Sequence, residues 1–165
     1  MLDHLCLTGA IGWGRLSPHT ATLEATADGK RRVVPTSTAP ITFFVREDAE
    51  WMVPRRETNG AGATGVSGEA AAVWQFLRQR GASFFTDIVR GTGKLKAEVE
   101  SALWELVAAG LLTADGFDNL RALIDPRRRS GQGGRSSRPR HGTGRWSLLY
   151  SAEACGRSRA LEATC

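Results

Sequence analysis

The stretch from Ser83 to Gly116, SFFTDIVRGTGKLKAEVESALWELVAAGLLTADG, constrains this chain more than any other part of it. It reads as a helix, a tight glycine turn, a longer helix and the start of a strand. Ser83 is suited to cap a helix whose apolar face carries Phe84, Phe85, Ile88 and Val89. Gly91 and Gly93 bracket Thr92 and are expected to supply the positive φ angles of a sharp turn. From Lys96 onward, Val99, Leu103, Leu106, Val107 and Leu111 recur at helical spacing and predict one buried stripe. Gly110 is placed to end that helix, after which Leu111, Leu112 and Thr113 begin a strand. This order is the plan of a winged helix-turn-helix, so the fold class expected is α+β. A small β-rich piece precedes the unit, and a disordered Arg-rich tail follows it.

The flanking sequence fills in the organisation. Glu69 to Arg80 reads as a helix with Ala72, Val73, Phe76 and Leu77 inward, stopped by Gly81. Residues 58–68, TNGAGATGVSG, cannot build a core and predict a flexible linker. Ile41 to Val45 is the best strand in the chain, and Glu47 to Trp51 opens a short helix. Val33 and Val34 suggest another short strand. Leu2, Leu5 and Cys6 look like the last turns of a helix ended by Thr8 and Gly9, and Ile11 to Leu16 alternates like a strand or wing. A helix that starts at the first methionine without a cap looks like a cut-off element. Asp115 to Asp125 reads as the far side of the wing or a short amphipathic turn, and Trp146 to Tyr150 as a returning strand. The division expected is 1–57 as the end of a preceding winged helix with a β-rich segment, 58–68 as linker and 69–125 as the winged helix. Residues 126–145 follow as a basic linker, and 146–165 as a short strand with an unstructured terminus.

Charge is uneven along this chain. Residues 1–125 hold 13 Lys+Arg against 15 Asp+Glu, net −2, whereas residues 126–165 hold 9 against 2, net +7. The overall +5 thus comes from the tail. Three cysteines, Cys6, Cys155 and Cys165, argue against a disulfide framework and for a reducing cytoplasm. No apolar run reaches the length of a membrane span, so no membrane partner is expected.

Several catalytic chemistries lack their residues. Gly91-Thr92-Gly93-Lys94 superficially resembles a phosphate loop, but Ile88 stands where the first glycine belongs and Leu95 where a magnesium-binding hydroxyl belongs. His4, His19 and His141 have no cysteine or carboxylate at ligand spacing, which points away from a metal site. His4 and Cys6 lie two apart, a spacing that separates them on a helix. Asp3, Asp115 and Asp118 sit where caps and turns commonly place an aspartate, a reading that competes with general-base service. No self-sufficient active site, cofactor site or small-molecule substrate is evident.

Nucleic-acid contact is the better-supported chemistry. The tract PRRRSGQGGRSSRPRHGTGR at 126–145 carries Arg127, Arg128, Arg129, Arg135, Arg138, Arg140 and Arg145, with no acid. Such a string binds polyanions by counterion release without sequence preference, or merely connects. Trp13 and Arg15, framed by glycines, offer a base-stacking ring and a phosphate donor, against the alternative that Trp13 packs in the core. Lys94 and Lys96 open the second helix, but Glu98, Glu100 and Glu105 are expected on its solvent face, which disfavours major-groove reading. Trp104 beside that face is either a docking residue or core.

These pieces together resemble the far C-terminal region of the Lhr-type (large helicase-related) ATP-dependent DNA helicases. The matching segments are LDHLCLTGAIGWGRL at 2–16, PITFFVRED at 40–48, GASFFTDIVRGTG at 81–93, EVESALWELVAAGLLTADGFDNLRALI at 98–124, and GRWSLL at 144–149 after the arginine tract. The resemblance implies a parent enzyme whose RecA-like motor uses ATP and Mg to move on single-stranded DNA. It also implies a C-terminal extension of winged helices and a β-rich module, associated with DNA repair and, in some members, with uracil removal. The motor motifs are absent from this sequence, so ATP hydrolysis is not assigned to it, and no position matches a glycosylase aspartate. Ala10 stands where relatives tend to carry an acid, residues 54–68 are more glycine-rich than a structured connector, and residues 150–165 do not resemble the family's ending. The expectation is a non-catalytic, remnant-like C-terminal fragment that contacts DNA and docks on the missing helicase domains. Two alternatives are a glycosylase-like winged-helix module acting on uracil or damaged bases, and a free-standing winged-helix regulator.

Overall fold

A helix apolar along one stripe can lie on a surface, whereas one buried on every side must be wrapped by its neighbours. The helix that begins at Lys96 belongs to the second kind. The computed structural model describes residues 2–17, 40–49, 66–116, 119 and 144–149. In chain order these form α1 (Leu2–Leu7), β1 (Ile11–Gly14), β2 (Thr42–Val45), a 3-10 turn (Arg46–Asp48), α2 (Gly68–Arg80), α3 (Phe85–Thr92), α4 (Lys96–Ala108), β3 (Leu112–Ala114) and β4 (Trp146–Leu148). The chain is α+β. No helix among the described residues is long and apolar enough to cross a membrane.

α4 is the centre of the packing. Every residue from Ala102 to Ala109 is buried, because α2 lies along α4, α3 touches both helices, and β3 folds back against its end. Fully burying Val99, Leu103, Leu106 and Val107 stabilises by about 2 kcal/mol for each side chain. The expected stripe is therefore present, but burial continues round the helix. Glu105, assigned by periodicity to the solvent face, is 2 % exposed. Trp104 is also buried, and its ring meets Trp146 edge-on with centroids 5.4 Å apart. Gly110 at φ 72° ends the helix, with Gly110 N–H on the Val107 carbonyl and Leu111 N–H on the Leu106 carbonyl. Those two bonds are the paired closure of a Schellman motif.

The other helix ends partly revise the expectations. α2 begins at Ser67, whose Oγ accepts from Ala70 N–H at 3.2 Å, and stops at Gly81 with φ 76°. Val66 packs against the core, so the C-terminal end of the expected linker is ordered structure, while residues 58–65 lie outside the described residues. Ser83 does not cap α3. Its backbone N–H and carbonyl instead exchange hydrogen bonds with Trp146, at 2.9 and 2.8 Å, and its Oγ donates to the Gly81 carbonyl. Phe84 takes the cap position without a side-chain bond and stands 49 % exposed, while Phe85 and Ile88 turn inward. Gly93 has the left-handed φ expected of the turn, at 65°. Gly91 does not. It lies inside α3, where a Cβ would sit 2.0 Å from the Phe76 ring, so its hydrogen serves helix packing and not turn geometry.

Two antiparallel ribbons complete the fold. β1 pairs β2 with Ile11 opposite Val45 and Trp13 opposite Phe43. β3 pairs β4 with Leu112 opposite Leu148 and Ala114 opposite Trp146, and Ser83 bridges to Trp146 beyond it. Cys6 and Trp13 belong to the same buried cluster as Val73, Leu103 and Trp146, so the N-terminal segment and the helices share one core. Thr113 Oγ1 donates to the Trp13 carbonyl and stitches β3 to β1. The strands expected at 11–16, 41–45 and 146–150 are thus present in shortened form, and Val33, Val34 and Trp51 lie outside the described residues.

Candidate nucleic-acid interface

The proposed contact residues separate into four groups. Trp13 is 0 % exposed, with its ring in the core, so it offers no stacking face. Packing prevails because the Ile11–Gly14 strand lays that ring against β3 and the helices. Arg15 is 8 % exposed; its Nη1 donates to the Ala108 carbonyl at 3.1 Å and its Nε to the Ser17 carbonyl at 2.9 Å. A cation on one of the last carbonyls of α4 also meets the negative end of the helix dipole. Burial draws the Arg15 pKa below its ordinary value. Arg15 is therefore engaged in holding β1 against α4, a correction to its reading as a phosphate donor.

Lys94 and Lys96 flank Leu95, which is 71 % exposed at the start of α4. Leu95 carries no capping oxygen; its N–H is satisfied instead by Glu98 Oε2 at 2.9 Å, which turns that carboxylate back toward the helix start. Because α4 is wrapped from Ala102 onward, Lys96, Ala97, Glu98, Glu100 and Ser101 are what it shows to solvent. Arg127, Arg128, Arg129, Arg135, Arg138 and Arg140 lie outside the described residues.

Arg145 is the tract residue that the structure places. Its Nε donates to Asp115 Oδ2 at 3.0 Å, and Arg46 Nη2 reaches Asp115 Oδ1 at 3.4 Å. The three side chains join the end of β2 to the base of the β3–β4 ribbon. Sequence reasoning missed Arg46, and treated Asp115 as a turn residue or base. Nothing in the linear chain marks the pairing, since Arg46 and Asp115 are 69 positions apart.

Buried polar groups define the rest of the chemistry. Glu105 accepts from Ser67 N–H at 2.8 Å on one oxygen and from Ser67 Oγ at 2.7 Å on the other. Asn119 is 2 % exposed, and among the described residues neither atom of its side-chain amide has a partner, nor do the indole N–H groups of Trp13 and Trp104. Among the described residues no group of three or more His, Cys, Asp or Glu is arranged to hold a metal ion.

No family model matches this chain. It is similar to a protein of Mycolicibacterium smegmatis named "Lhr helicase/ probable uracil glycosylase", with 29% identity over 97% of this chain. The chain spans 11% of that relative's length, so what the two share is a weak, Lhr-related likeness confined to a small part of the larger protein.

Proposed function

We propose that this chain is an accessory, non-motor part of an Lhr-type ATP-dependent DNA helicase, acting in the cytoplasm. In this reading residues 69–125 form a winged-helix module that packs against the motor domains, and the chain contacts DNA without sequence preference. The observation that carries it is the element order α2, α3, α4, β3, β4 with Ser83 hydrogen-bonded to Trp146. In a winged helix a bridge of this kind would take the third strand position of the small sheet, which supports the reading. The likeness to the Lhr-named relative supports the same assignment. Burial of α4 favours non-specific contact, because a helix wrapped from Ala102 onward has only the residues before it, Glu98 and Glu100 among them, to offer a groove. Adhesion then rests on the arginine tract and the lysines at the α4 start.

Binding of the full chain to labelled single-stranded and duplex oligonucleotides, across about 50–200 mM salt, tests this reading. Affinity is expected to fall steeply with salt. Replacing Arg127, Arg128, Arg129, Arg135, Arg138 and Arg140 by Gln should reduce the log–log slope on duplex by up to about 5. Absent binding, or affinity that ignores salt, overturns the proposal.

A second reading, a glycosylase-like module, is favoured by the words "probable uracil glycosylase" in the relative's name. The core carboxylate of the described residues, Glu105, has both oxygens engaged by Ser67, so the base for such chemistry would have to come from elsewhere. Abasic product from a uracil-containing oligonucleotide would favour this reading, and its absence would remove it.

A further inference from the structure

We propose that Arg46 and Arg145 form a clamp for one phosphodiester of a nucleic-acid backbone, with Asp115 as the positioning residue that holds both guanidiniums. The proposal rests on the nucleic-acid reading above and deepens it by naming a built contact. Each oxygen of Asp115 takes a different arginine, Arg46 at 3.4 Å and Arg145 at 3.0 Å. The backbone fixes the frame: Asp115 N–H donates to the Arg145 carbonyl at 3.0 Å, and Arg46 N–H to the Ala10 carbonyl at 3.1 Å. Arg145 engages through Nε, and no other described residue bonds its two terminal nitrogens. Arg46 engages through Nη2, and no other described residue bonds its Nε or Nη1. Their side chains are 54 % and 39 % exposed, against 19 % for Asp115, so the two guanidinium side chains are more open to solvent than the carboxylate they share.

One arginine would neutralise Asp115. A second from a separate ribbon leaves the group net positive, with two planar forks on one centre. Guanidinium forks match phosphate oxygens in pairs, and fixing them in advance lowers the ordering cost of binding. An exposed ion pair contributes little to stability, so holding the fold together is a poor explanation for the second arginine. Glu47 and Asp48 follow Arg46 in the 3-10 turn, and neither bonds to either arginine.

The test is the salt dependence of duplex binding by the full chain and by Arg46→Gln, Arg145→Gln and the double variant, each with Asp115 present and in an Asp115→Ala background, and each checked for an unchanged thermal midpoint. A shared phosphate predicts that either single variant lowers the slope by about 0.9 and that the double variant lowers it by no more. Removing Asp115 uncouples the arginines, so in the Asp115→Ala background the two losses should become additive. Unchanged slopes in both single variants overturn the clamp, as do additive losses with Asp115 present. A wild-type chain that fails to bind overturns the parent reading; binding with unaffected slopes overturns the clamp alone.

Discussion

Replacing Glu105 by Ala separates the wrapped α4 from a surface helix, because the two arrangements give this side chain opposite weights. An exposed glutamate changed to alanine shifts stability by no more than about 0.5 kcal/mol. Here the carboxylate is 2 % exposed and accepts from Ser67 N–H at 2.8 Å and Ser67 Oγ at 2.7 Å. Hydrogen bonds to a charged acceptor contribute about 1.5–3 kcal/mol each, and orphaning the half-buried Ser67 N–H costs about 1 kcal/mol more. Against this stands the relief of no longer desolvating a carboxylate, several kcal/mol in the opposite direction. The balance leaves a net loss on the order of 3 kcal/mol, roughly a hundredfold in the folding equilibrium. Urea denaturation of the full chain, with the slope against denaturant checked for constancy, reads this directly. Ser67→Ala removes one of the two bonds and the cap on Ala70 N–H, and should cost about 1–2 kcal/mol. The double variant should cost less than the two single losses together, because both remove the same bond. A Glu105→Ala midpoint matching the wild type, or simple additivity with Ser67→Ala, would refute the reasoning.

Two further outcomes follow from contacts at the ribbons. Gly144→Ala should destabilise by about 2–3 kcal/mol in the same denaturation assay, since its Cβ would lie 2.5 Å from the backbone nitrogen of Gly116, which no rotamer change can relieve. Arg15→Gln should lower stability by about 1–3 kcal/mol while leaving the salt slope of DNA binding unchanged, because its guanidinium is engaged by the Ala108 and Ser17 carbonyls. A flattened slope with unaltered stability would instead return Arg15 to the phosphate contacts.

Local patterns carried much of the fold. The 3.6-residue period of Val99, Leu103, Leu106 and Val107 marks α4, the β-branched and aromatic run Thr42–Val45 marks β2, and Gly81, Gly93 and Gly110 mark helix ends. These signals act over a few residues, through sterics and side-chain spacing, and are present in the linear chain. Glu105, Arg15 and Ser83 were misplaced because their partners, Ser67, Ala108 and Trp146, arrive from distant segments. Gly91 reads as a turn glycine until the Phe76 ring is seen against it.

For the candidate interface the division follows the same physics. Composition alone determined that the cationic charge gathers after residue 125, since a charge count needs no geometry. Tertiary structure decided which cations are free to act. It buried Trp13, tied Arg15 to a helix end, and drew Arg46 and Arg145 onto one carboxylate. Burial and ion pairing depend on which surfaces meet in space, and the order of residues does not carry that information.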